Sequence, residues 1–376
     1  MTKILILYVE AGHGHRKVAE AIGGEIEFRN LPDVQVEIRD ALEKTNWLFR
    51  KTYPQVYFQL VLWAPWLWGF FFYLTNLKWI YAFLAPLRFL WNRLQSQKLR
   101  AYLREKRFDY ILFTHFFPAE VCASAKIRGE IEAELITVVT DVIPHQVWQN
   151  PGVDEYWVMA EESAQTLIRQ GVSPVQIHSH GIPISKKFLE QCNRYELKMK
   201  FGLKSDELTI LFTSGSFGIG PTEATLDSFA EFGDRIQALV VCGKNEHLYS
   251  RLNQRKFSFP VILFGFIDNM HEIMSVADLL IAKPGGATMC ESLAKGIPMI
   301  ISAAIPGQES YNAKWLIQHN AAFQIKNVDD IKHLVLKMLD QPQAIELARQ
   351  GIRQIAKPFA ARDLADFLLN RSRRRR

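Results

Sequence analysis

The sequence predicts an α/β protein with two domains, each built on a parallel sheet. Three observations lead to this: the length of 376 residues, the alternation of short apolar runs with helical patterns, and the glycine-rich loops that follow those runs. A chain of this length typically forms about two domains. Continuous apolar strands joined by crossover helices are typical of parallel sheets that helices cover on both faces.

The first domain is expected over residues 1–185. A helix at about 15–28 follows the first strand, and the domain closes near 181–184. The strand-like runs lie at 3–9, 34–40, 110–116, 134–141 and 155–159. Between the second and third runs the chain inserts residues 46–107, whose composition differs from the rest. The insertion is therefore expected to have a role of its own.

The second domain is expected over residues 206–350, and residues 351–376 form a last helix and a basic tail that we expect to return to the first domain. The strand-like runs of the second domain lie at 209–215, 237–243, 261–266, 277–283 and 298–304. In doubly wound, Rossmann-like sheets the ligand lies beyond the carboxyl ends of the strands. The loops that follow these strands are therefore where we expect the chemistry.

Charge is distributed unevenly along the chain. The formal net charge is +6, but residues 78–107 carry +7 and residues 371–376 carry +5, so the other 340 residues sum to −6. A protein that binds nucleic acid over its whole surface would be basic throughout. The distribution therefore argues against a nucleic-acid partner. It indicates a mildly acidic protein with two basic patches.

Cysteine and metal motifs are missing from the sequence. The four cysteines lie far apart without a C-x-x-C pair, which excludes the common zinc patterns and gives no sign of a disulfide framework. There is no D-x-D or H-E-x-x-H motif, so we expect neither a metal nor a bound cofactor. The first apolar run is too short for a signal peptide, which favours a reducing, cytosolic setting.

Seventeen of the 45 aromatic residues fall within residues 47–91, and residues 52–77 carry no charge. That length would fit a membrane-spanning helix. Pro54 and Pro65 interrupt it, however, and its Trp and Tyr run along its whole length, whereas a spanning helix concentrates them at its ends. We therefore expect this stretch to lie on a membrane surface, with a buried core or oligomer interface and a true span as the alternatives.

The next stretch, residues 78–107, reads as one amphipathic helix. Apolar residues from Ile80 to Leu94 share one stripe, and arginines cluster on another face. An apolar stripe, interfacial aromatics and a basic face are typical of a helix that lies in an anionic membrane surface. The residues predicted to dock on the membrane are Trp63, Trp66, Trp68, Phe71, Trp79, Arg93, Arg100 and Arg104. The alternative is a core helix with a solvated basic face.

Glycine-rich loops follow strands in both halves. In the first half, Gly12 and Gly14 allow backbone to approach a ligand, and His15 stands at the mouth of a helix, either as a general base or as a helix cap. In the second half, three loops combine amide-rich turns for a diphosphate, an acidic residue for a ribose and polar side chains for sugar hydroxyls. Their residues are Gly215, Ser216, Gly218; Gly285, Gly286, Thr288, Glu291; and Gln308, Glu309.

Together these loops resemble glycosyltransferase family 28, in particular the monogalactosyldiacylglycerol synthases and the processive diacylglycerol glucosyltransferases. The resemblance covers nearly the whole chain. It is carried by Gly14-His15 with AEAI, VVTDVIPHQVW (138–148), GIPI (181–184), TSGSFGIGP (213–221), VVCGKN (240–245), KPGG-T--E (283–291) and IPGQE (305–309). One departure is that His13 interrupts the Gly-Gly-Gly-His loop of the plant-type synthases.

The resemblance implies a GT-B fold, in which two Rossmann-like domains face each other across a cleft. It implies an inverting enzyme at the cytoplasmic face of the membrane, peripheral to it, that moves glucose or galactose from a UDP-sugar to the 3-hydroxyl of diacylglycerol. His15 would be the base, and Asp141 and His145 would orient the acceptor or share the proton. The donor residues would be Gly215, Ser216 and Gly218 for the diphosphate, Gly265 and Phe266 for the uracil, Lys283, Gly285, Gly286, Thr288 and Glu291 for phosphate and ribose, and Gln308 and Glu309 for the hexose.

Several alternatives remain open at this stage. One is transfer of N-acetylglucosamine to a polyprenyl-linked acceptor, and a UDP-sugar epimerase is another. A third is a non-catalytic membrane- or glycolipid-binding protein. The sequence does not specify the hexose, the number of sugars added or the oligomeric state. The tail from Arg371 either contacts anionic lipid or is a solubilising extension.

Overall fold

The computed structural model describes residues 1–10, 12–213 and 221–374. Within these ranges the chain forms two compact units. The first comprises Met1–Lys186, Ile305–Tyr311 and Lys357–Arg376, and the second comprises Lys187–Ala304 and Asn312–Ala356. The short segment Ile305–Tyr311 falls inside the range predicted for the second domain, yet it packs with the first unit.

The first unit is built on a six-stranded parallel sheet with the order β2-β1-β3-β4-β5-β6. Ile4 on the central strand pairs with Val36 on one side and Tyr110 on the other. The strands are β1 (Thr2–Tyr8), β2 (Val34–Asp40), β3 (Tyr110–Phe113), β4 (Glu134–Val138), β5 (Glu155–Val158) and β6 (Ile177–Ser179). Both faces of the sheet are covered, which explains why β3, β4 and β5 read as continuous apolar runs.

Helices cover this sheet and form the insertion. Helix α1 buries Val18, Ile22 and Ile26, which are spaced at four residues and therefore share one face. The helices up to the end of β6 are α1 (His13–Phe28), α2 (Trp47–Trp63), α3 (Pro65–Thr75), α4 (Lys78–Gln95), α5 (Gln97–Lys106), α6 (Phe116–Ile127) and α7 (Glu161–Gln170).

Helices α2 to α5, residues 47–106, form what we call the aromatic segment. The chain breaks at Ala64 before Pro65, as expected, but Pro54 lies inside α2 and does not interrupt it. The single amphipathic helix predicted over 78–107 is wrong, since Ser96 separates α4 from α5. Among the described residues, no individual helix has the length and hydropathy of a membrane span. Helices α2 and α3 together have that length and hydropathy, but the pair is bent by 115° at the break between them.

Two carboxylates, one buried in α6 and one partly buried just after it, attach the aromatic segment to the rest of the unit. Glu120, only 1% exposed, accepts hydrogen bonds from Arg88 Nε at 2.7 Å and from Asn92 Nδ2 at 3.1 Å. Further along, Arg100 Nε donates to Glu130 Oε2 at 2.9 Å. Hydrogen bonds in which one partner is charged are stronger than neutral ones. Basic residues of α4 and α5 therefore hold the segment in place.

The second unit has its own six-stranded parallel sheet, in the order β12-β11-β10-β7-β8-β9. Its strands are β7 (Leu208–Thr213), β8 (Ile236–Val241), β9 (Val261–Phe264), β10 (Leu279–Ala282), β11 (Met299–Ile301) and β12 (Ala322–Gln324). The later helices are α8 (Arg194–Lys200), α9 (Thr222–Ser228), α10 (Glu246–Asn253), α11 (Met270–Val276), α12 (Gly286–Lys295), α13 (Gln308–Gln318), α14 (Val328–Asp340), α15 (Gln343–Ile355) and α16 (Ala360–Arg374). Of these, α16 belongs to the first unit and α13 begins in it.

Helix α16 packs on α1 in the first unit. Asp366 pairs with Arg29 of α1 at 2.9 Å, and Arg371 pairs with Glu134 at the start of β4 at 2.7 Å. Arg371 is thus the one residue of the basic tail whose side chain the structure describes in an ion pair. The positive charge of Arg371 is paired with a carboxylate of the first unit, so it does not serve a lipid contact.

The strands found at 177–179 and 322–324 were not predicted, and 181–184, where the first half was expected to close, is irregular backbone. Both missed strands have three residues and lie at a sheet edge. These strands are not fully buried, and three residues are too few to show a periodic pattern in the sequence.

Arg88→Met tests the attachment of the aromatic segment. The change keeps an apolar stem but leaves buried Glu120 without its cation, so we expect the free energy of unfolding to fall by about 2 kcal/mol at pH 8. The loss should be smaller at pH 5, because Glu120 can then become protonated.

Urea titration followed by tryptophan fluorescence is suited to this test, because six of the nine Trp lie in residues 47–91. Arg93→Met is the matched control, since Arg93 lies on the same helix and is exposed. Equal effects of the two substitutions would contradict the assigned role of Arg88.

Candidate active site

His15 lies in the first turn of α1, directly beyond the carboxyl end of β1. Gly12 precedes this helix with φ 127°, a conformation that favours glycine, and Gly14 lies next to His15 in the same turn. The ring Nδ1 of His15 lies 2.5 Å from the carbonyl oxygen of Thr114 and 3.3 Å from Thr140 Oγ1. A carbonyl oxygen only accepts, so Nδ1 carries the hydrogen and Nε2 is the basic nitrogen of the neutral ring.

The environment keeps the His15 ring neutral. Burial lowers its pKa to about 4, and the hydrogen bond to the Thr114 carbonyl opposes that shift only in part. At neutral pH the side chain is therefore uncharged, with an unprotonated Nε2. This is the form that a general base requires.

A second histidine, His115, lies against the first, and the sequence analysis did not select it. The two rings meet edge to face with centroids 4.7 Å apart, and His115 is buried at the start of α6. Its Nδ1 accepts a hydrogen bond from the backbone N–H of Phe117 at 3.1 Å. Burial, followed by repulsion from His15, holds its pKa well below the ordinary value. The available signal was its place directly after a strand, in YILFTHF.

Asp141 follows β4 and accepts a hydrogen bond from Trp148 Nε1 at 2.9 Å on Oδ2. Burial raises the pKa of Asp141 to about 6; the Trp148 hydrogen bond lowers it, and the charge of Glu309 raises it further. The carboxyl therefore changes charge near physiological pH. Such a group can accept a hydrogen bond from an acceptor hydroxyl when it is ionised.

His145, also predicted at the site, lies in the loop after β4. Its Nδ1 accepts from the N–H of Val147 at 3.1 Å, so Nε2 carries the hydrogen and lies 3.0 Å from the carbonyl oxygen of Phe72. Burial lowers its pKa to about 4. Both ring nitrogens are engaged with backbone, so His145 ties the loop after β4 to α3.

The segment Ile305–Tyr311 contributes Gln308 and Glu309 to the first unit. Gln308 Nε2 lies 3.2 Å from the hydroxyl oxygen of Tyr57, and Gln308 Oε1 is buried without a hydrogen-bond partner among the described residues. Glu309 Oε2 accepts from the backbone N–H of Ile305 at 2.8 Å, which fixes the turn before α13. The Glu309 charge reaches Asp141, as its effect on that pKa indicates.

The second unit holds the predicted donor residues in the loop between β10 and α12. Lys283 is buried directly after β10, and Gly285 N-caps α12, whose first residue is Gly286. Thr288 and Glu291 follow within the first two turns and are partly buried. Unpaired N–H groups at the start of a ten-residue helix favour an anion. The arrangement suits a phosphate.

The remaining predicted donor contacts are those to the uracil and to the diphosphate. Gly265 and Phe266 follow β9, and the Phe266 ring is exposed with Lys244 Nζ 5.8 Å from its centroid. Gly215, Ser216 and Gly218 lie in 214–220, outside the described residues. In the part of the chain that the structure describes, no group of three or more His, Cys, Asp and Glu side chains could hold a metal ion.

The predicted membrane-docking residues divide into two groups. Trp63, Trp66 and Trp79 are 84%, 72% and 71% exposed. Phe71, Arg93 and Arg104 are also exposed. Trp68 points inward, where its ring packs on Tyr57 and Phe72, and Arg100 is used by Glu130, so the docking role predicted for these two is corrected.

Two family profiles match this chain. The profile for monogalactosyldiacylglycerol (MGDG) synthase matches residues 15–184, and that for the glycosyltransferase family 28 C-terminal domain matches residues 209–362. The two profiles confirm the predicted resemblance to glycosyltransferase family 28 and to its MGDG synthase branch. The first unit of this chain carries the MGDG synthase part, which begins at His15.

Curated relatives extend over nearly the whole chain. The processive diacylglycerol beta-glucosyltransferase of Bacillus pumilus is 25% identical over 98% of this chain and 95% of its own length. The probable chloroplastic MGDG synthase of Nicotiana tabacum is 28% identical over 95% of this chain and 68% of its own length. Both belong to the branch that the loop motifs predicted.

Solved structures bear on the fold alone. Acinetobacter baumannii MurG has 13% identity and a TM-score of 0.58, over 98% of this chain and all of that chain. The UDP-GlcNAc 2-epimerase of Neisseria meningitidis, bound to UDP-GlcNAc, has 11% identity and a TM-score of 0.63, with the same coverage. With the two parallel sheets, these likenesses confirm the predicted GT-B fold class. They do not favour a MurG-type or epimerase reaction.

The pKa directions of His15 and Asp141 predict opposite pH dependences of stability. The folded pKa of His15, about 4, lies below its ordinary 6.5, so its stabilising contribution is present above 6.5 and is lost as pH falls through 4. The folded pKa of Asp141, about 6, lies above its ordinary 3.8, so its contribution is present below 3.8 and is lost as pH rises through 6.

Urea titrations between pH 7 and pH 4 separate the two groups. We expect His15→Gln to make the loss of unfolding free energy on acidification shallower than in the unsubstituted protein. Asp141→Asn should make it steeper, because this substitution removes a group that opposes the loss. Identical pH slopes in all three proteins would contradict the assigned environments.

Proposed function

We propose that the protein is an inverting hexosyltransferase that moves glucose or galactose from a UDP-sugar to the 3-hydroxyl of 1,2-diacylglycerol, making a β-glycosyl diacylglycerol. The observation that carries the proposal is the neutral His15 with a basic Nε2, in the loop where the MGDG synthase profile begins. The activities for which the Bacillus pumilus and Nicotiana tabacum relatives are named support the same substrate class.

In the proposed reaction the 3-hydroxyl oxygen attacks the anomeric carbon, and its proton passes to His15 Nε2. The bond from that carbon to the UDP oxygen breaks on the opposite face, and UDP leaves with the electron pair. A single displacement of this kind inverts the anomeric configuration. A positioned base typically contributes 10²–10⁴-fold to the rate. Asp141, ionised above about pH 6, orients the acceptor hydroxyl.

The donor is assigned to the remaining residues. Lys283 and the start of α12, with Gly285, Gly286 and Thr288, meet the departing diphosphate, and Glu291 accepts from the ribose hydroxyls. Gly265 and Phe266 frame the uracil, Gln308 and Glu309 read the hexose, and Gly215, Ser216 and Gly218 add amides to the diphosphate. Preorganised donors of this kind can stabilise the leaving group without a metal.

The acceptor also accounts for the aromatic segment. Diacylglycerol remains in the bilayer, so the unit that binds it must reach the membrane. Trp63, Trp66 and Trp79 project exposed rings, and Phe83 on α4 is 81% exposed. Several large exposed aromatic side chains within one segment are typical of a surface that meets a partner or a membrane. With Arg93 and Arg104, this surface suits an anionic lipid layer, and we propose peripheral docking on the cytoplasmic face of the membrane.

His15→Ala tests the proposed base. Transfer of labelled hexose to diacylglycerol vesicles, measured in the presence of EDTA, should fall at least about 100-fold because no other group supplies the basic nitrogen. UDP binding measured by calorimetry should not change.

His333→Ala is the matched control, since His333 lies on an exposed face of the second unit and should keep full activity. Full transfer by the His15→Ala protein would refute the assignment. A requirement for a divalent ion would refute the metal-free reaction.

The triple substitution Trp63→Ser, Trp66→Ser, Trp79→Ser tests membrane docking. Loss of three exposed indoles should lower binding to anionic vesicles by roughly tenfold or more in a flotation assay, because each indole buries a large area in the interface. Tyr195→Ser, which removes an exposed aromatic from the second unit, should have no effect. Unchanged flotation of the triple variant would exclude these residues from the docking surface.

A further inference from the structure

The aromatic segment and the segment Ile305–Tyr311 pack together within the first unit. Gly307 has φ +98°, and a Cβ atom added there would lie 2.6 Å from the ring of Phe72 on α3. Rings of α3 also approach Tyr311, with centroids 6.3 Å away for Phe72 and 6.0 Å for Tyr73. Backbone that approaches a ring this closely leaves no room for a side chain. The two segments are therefore fitted to each other.

A polar contact lies within this apolar packing. Tyr57, in the middle of α2, places its hydroxyl oxygen 3.2 Å from Gln308 Nε2. The Tyr57 ring is held edge to face by Trp68, with centroids 5.0 Å apart, and burial raises the pKa of its hydroxyl above the ordinary value. The hydroxyl is thus neutral and fixed in position. It accepts the hydrogen bond from the Gln308 amide nitrogen.

This contact orients the rest of the Gln308 side chain. Because the amide nitrogen faces Tyr57, the carbonyl oxygen Oε1 faces away from it. That oxygen is buried and has no hydrogen-bond partner among residues 1–10, 12–213 and 221–374. Buried acceptors are almost always paired, and an unpaired one is a strong indication of a missing donor. A sugar hydroxyl is a donor of the right kind.

We propose that Tyr57 is a positioning residue that holds the Gln308 amide so that its Oε1 accepts a hydroxyl of the donor hexose. This inference rests on the proposed function of Gln308 as a hexose-reading residue. It makes a side chain of the aromatic segment responsible for part of the sugar specificity. Glucose and galactose differ in the orientation of one hydroxyl, and a fixed acceptor discriminates between such epimers because the wrong one leaves it unpaired.

Tyr57→Phe tests the inference, because it removes the hydroxyl and keeps the ring that packs on Trp68. With the full chain on diacylglycerol vesicles, KM for the preferred UDP-hexose should rise about three- to tenfold, the loss of one neutral hydrogen bond. The preference between UDP-glucose and UDP-galactose should fall by a similar factor. The value of kcat, inhibition by UDP alone and vesicle binding should stay within twofold.

Tyr73→Phe is the matched control. Tyr73 packs its ring against the same segment, but its hydroxyl makes no hydrogen bond among the described residues. It should leave KM and the hexose preference unchanged. Equal effects of the two substitutions, or a parallel loss of UDP affinity in Tyr57→Phe, would mean that Tyr57 only supports the fold and would overturn the proposal.

Gln308→Ala separates this inference from the proposed function. If it abolishes the hexose preference and Tyr57→Phe does not, Gln308 reads the sugar without Tyr57, and only the inference fails. If Gln308→Ala leaves the preference intact, the role proposed for Gln308 itself is wrong. If the inference holds, Tyr57→Phe should add little in the Gln308→Ala background, because the two residues act through one contact.

Discussion

The parallel arrangement of the strands in the first unit determines where its chemistry can lie. Parallel strands bring their carboxyl ends to one edge of the sheet, and the loops there are free of the crossover helices that cover the faces. The loop after β1 supplies His15, the loop after β3 supplies Thr114 and His115, and the loop after β4 supplies Asp141. Residues distant in sequence therefore meet because of the order β1-β3-β4 in the sheet.

At that edge, burial does more than any neighbouring charge to set the protonation states. It lowers the pKa of both His15 and His115, so the two rings are neutral at physiological pH, and it raises the pKa of Asp141 to about 6, so this carboxyl is largely ionised there. A charged cluster would need solvent, which would compete with an acceptor hydroxyl. A neutral base and a single carboxylate at the same edge of the sheet suit an acceptor that arrives from an apolar phase. The same edge is joined to the aromatic segment through His145 and Phe72.

The basic patch at residues 78–107 has two uses that its net charge does not distinguish. Arg88 and Arg100 turn inward to Glu120 and Glu130 and attach α4 and α5 to α6. Arg93 remains exposed beside apolar rings. Part of the positive charge of this patch is therefore used in ion pairs within the first unit. The remainder gives the aromatic segment a basic margin, where it can favour acidic lipid.

Much of the fold and part of the site could be predicted from the sequence. Continuous apolar runs predicted ten of the strands, because strands buried on both faces of a parallel sheet are apolar along their whole length. Strands β6 and β12 were too short to show such a run. His15 and Asp141 could be found because their motifs mark strand ends. His115 also follows a strand and was overlooked, and its contact with the His15 ring is a tertiary feature that no local pattern shows. The inward turns of Trp68 and Arg100 depend on partners far along the chain, and no local pattern contains them.

The anomeric configuration of the lipid product tests the central claim most directly. Incubation of the protein with UDP-α-glucose or UDP-α-galactose over diacylglycerol vesicles, followed by NMR of the lipid fraction, would report it. A single displacement assisted by His15 gives a β-linked hexosyl diacylglycerol with one of the two donors. An α-linked product, or hexose released to water with no lipid-linked sugar from either donor, would contradict the account.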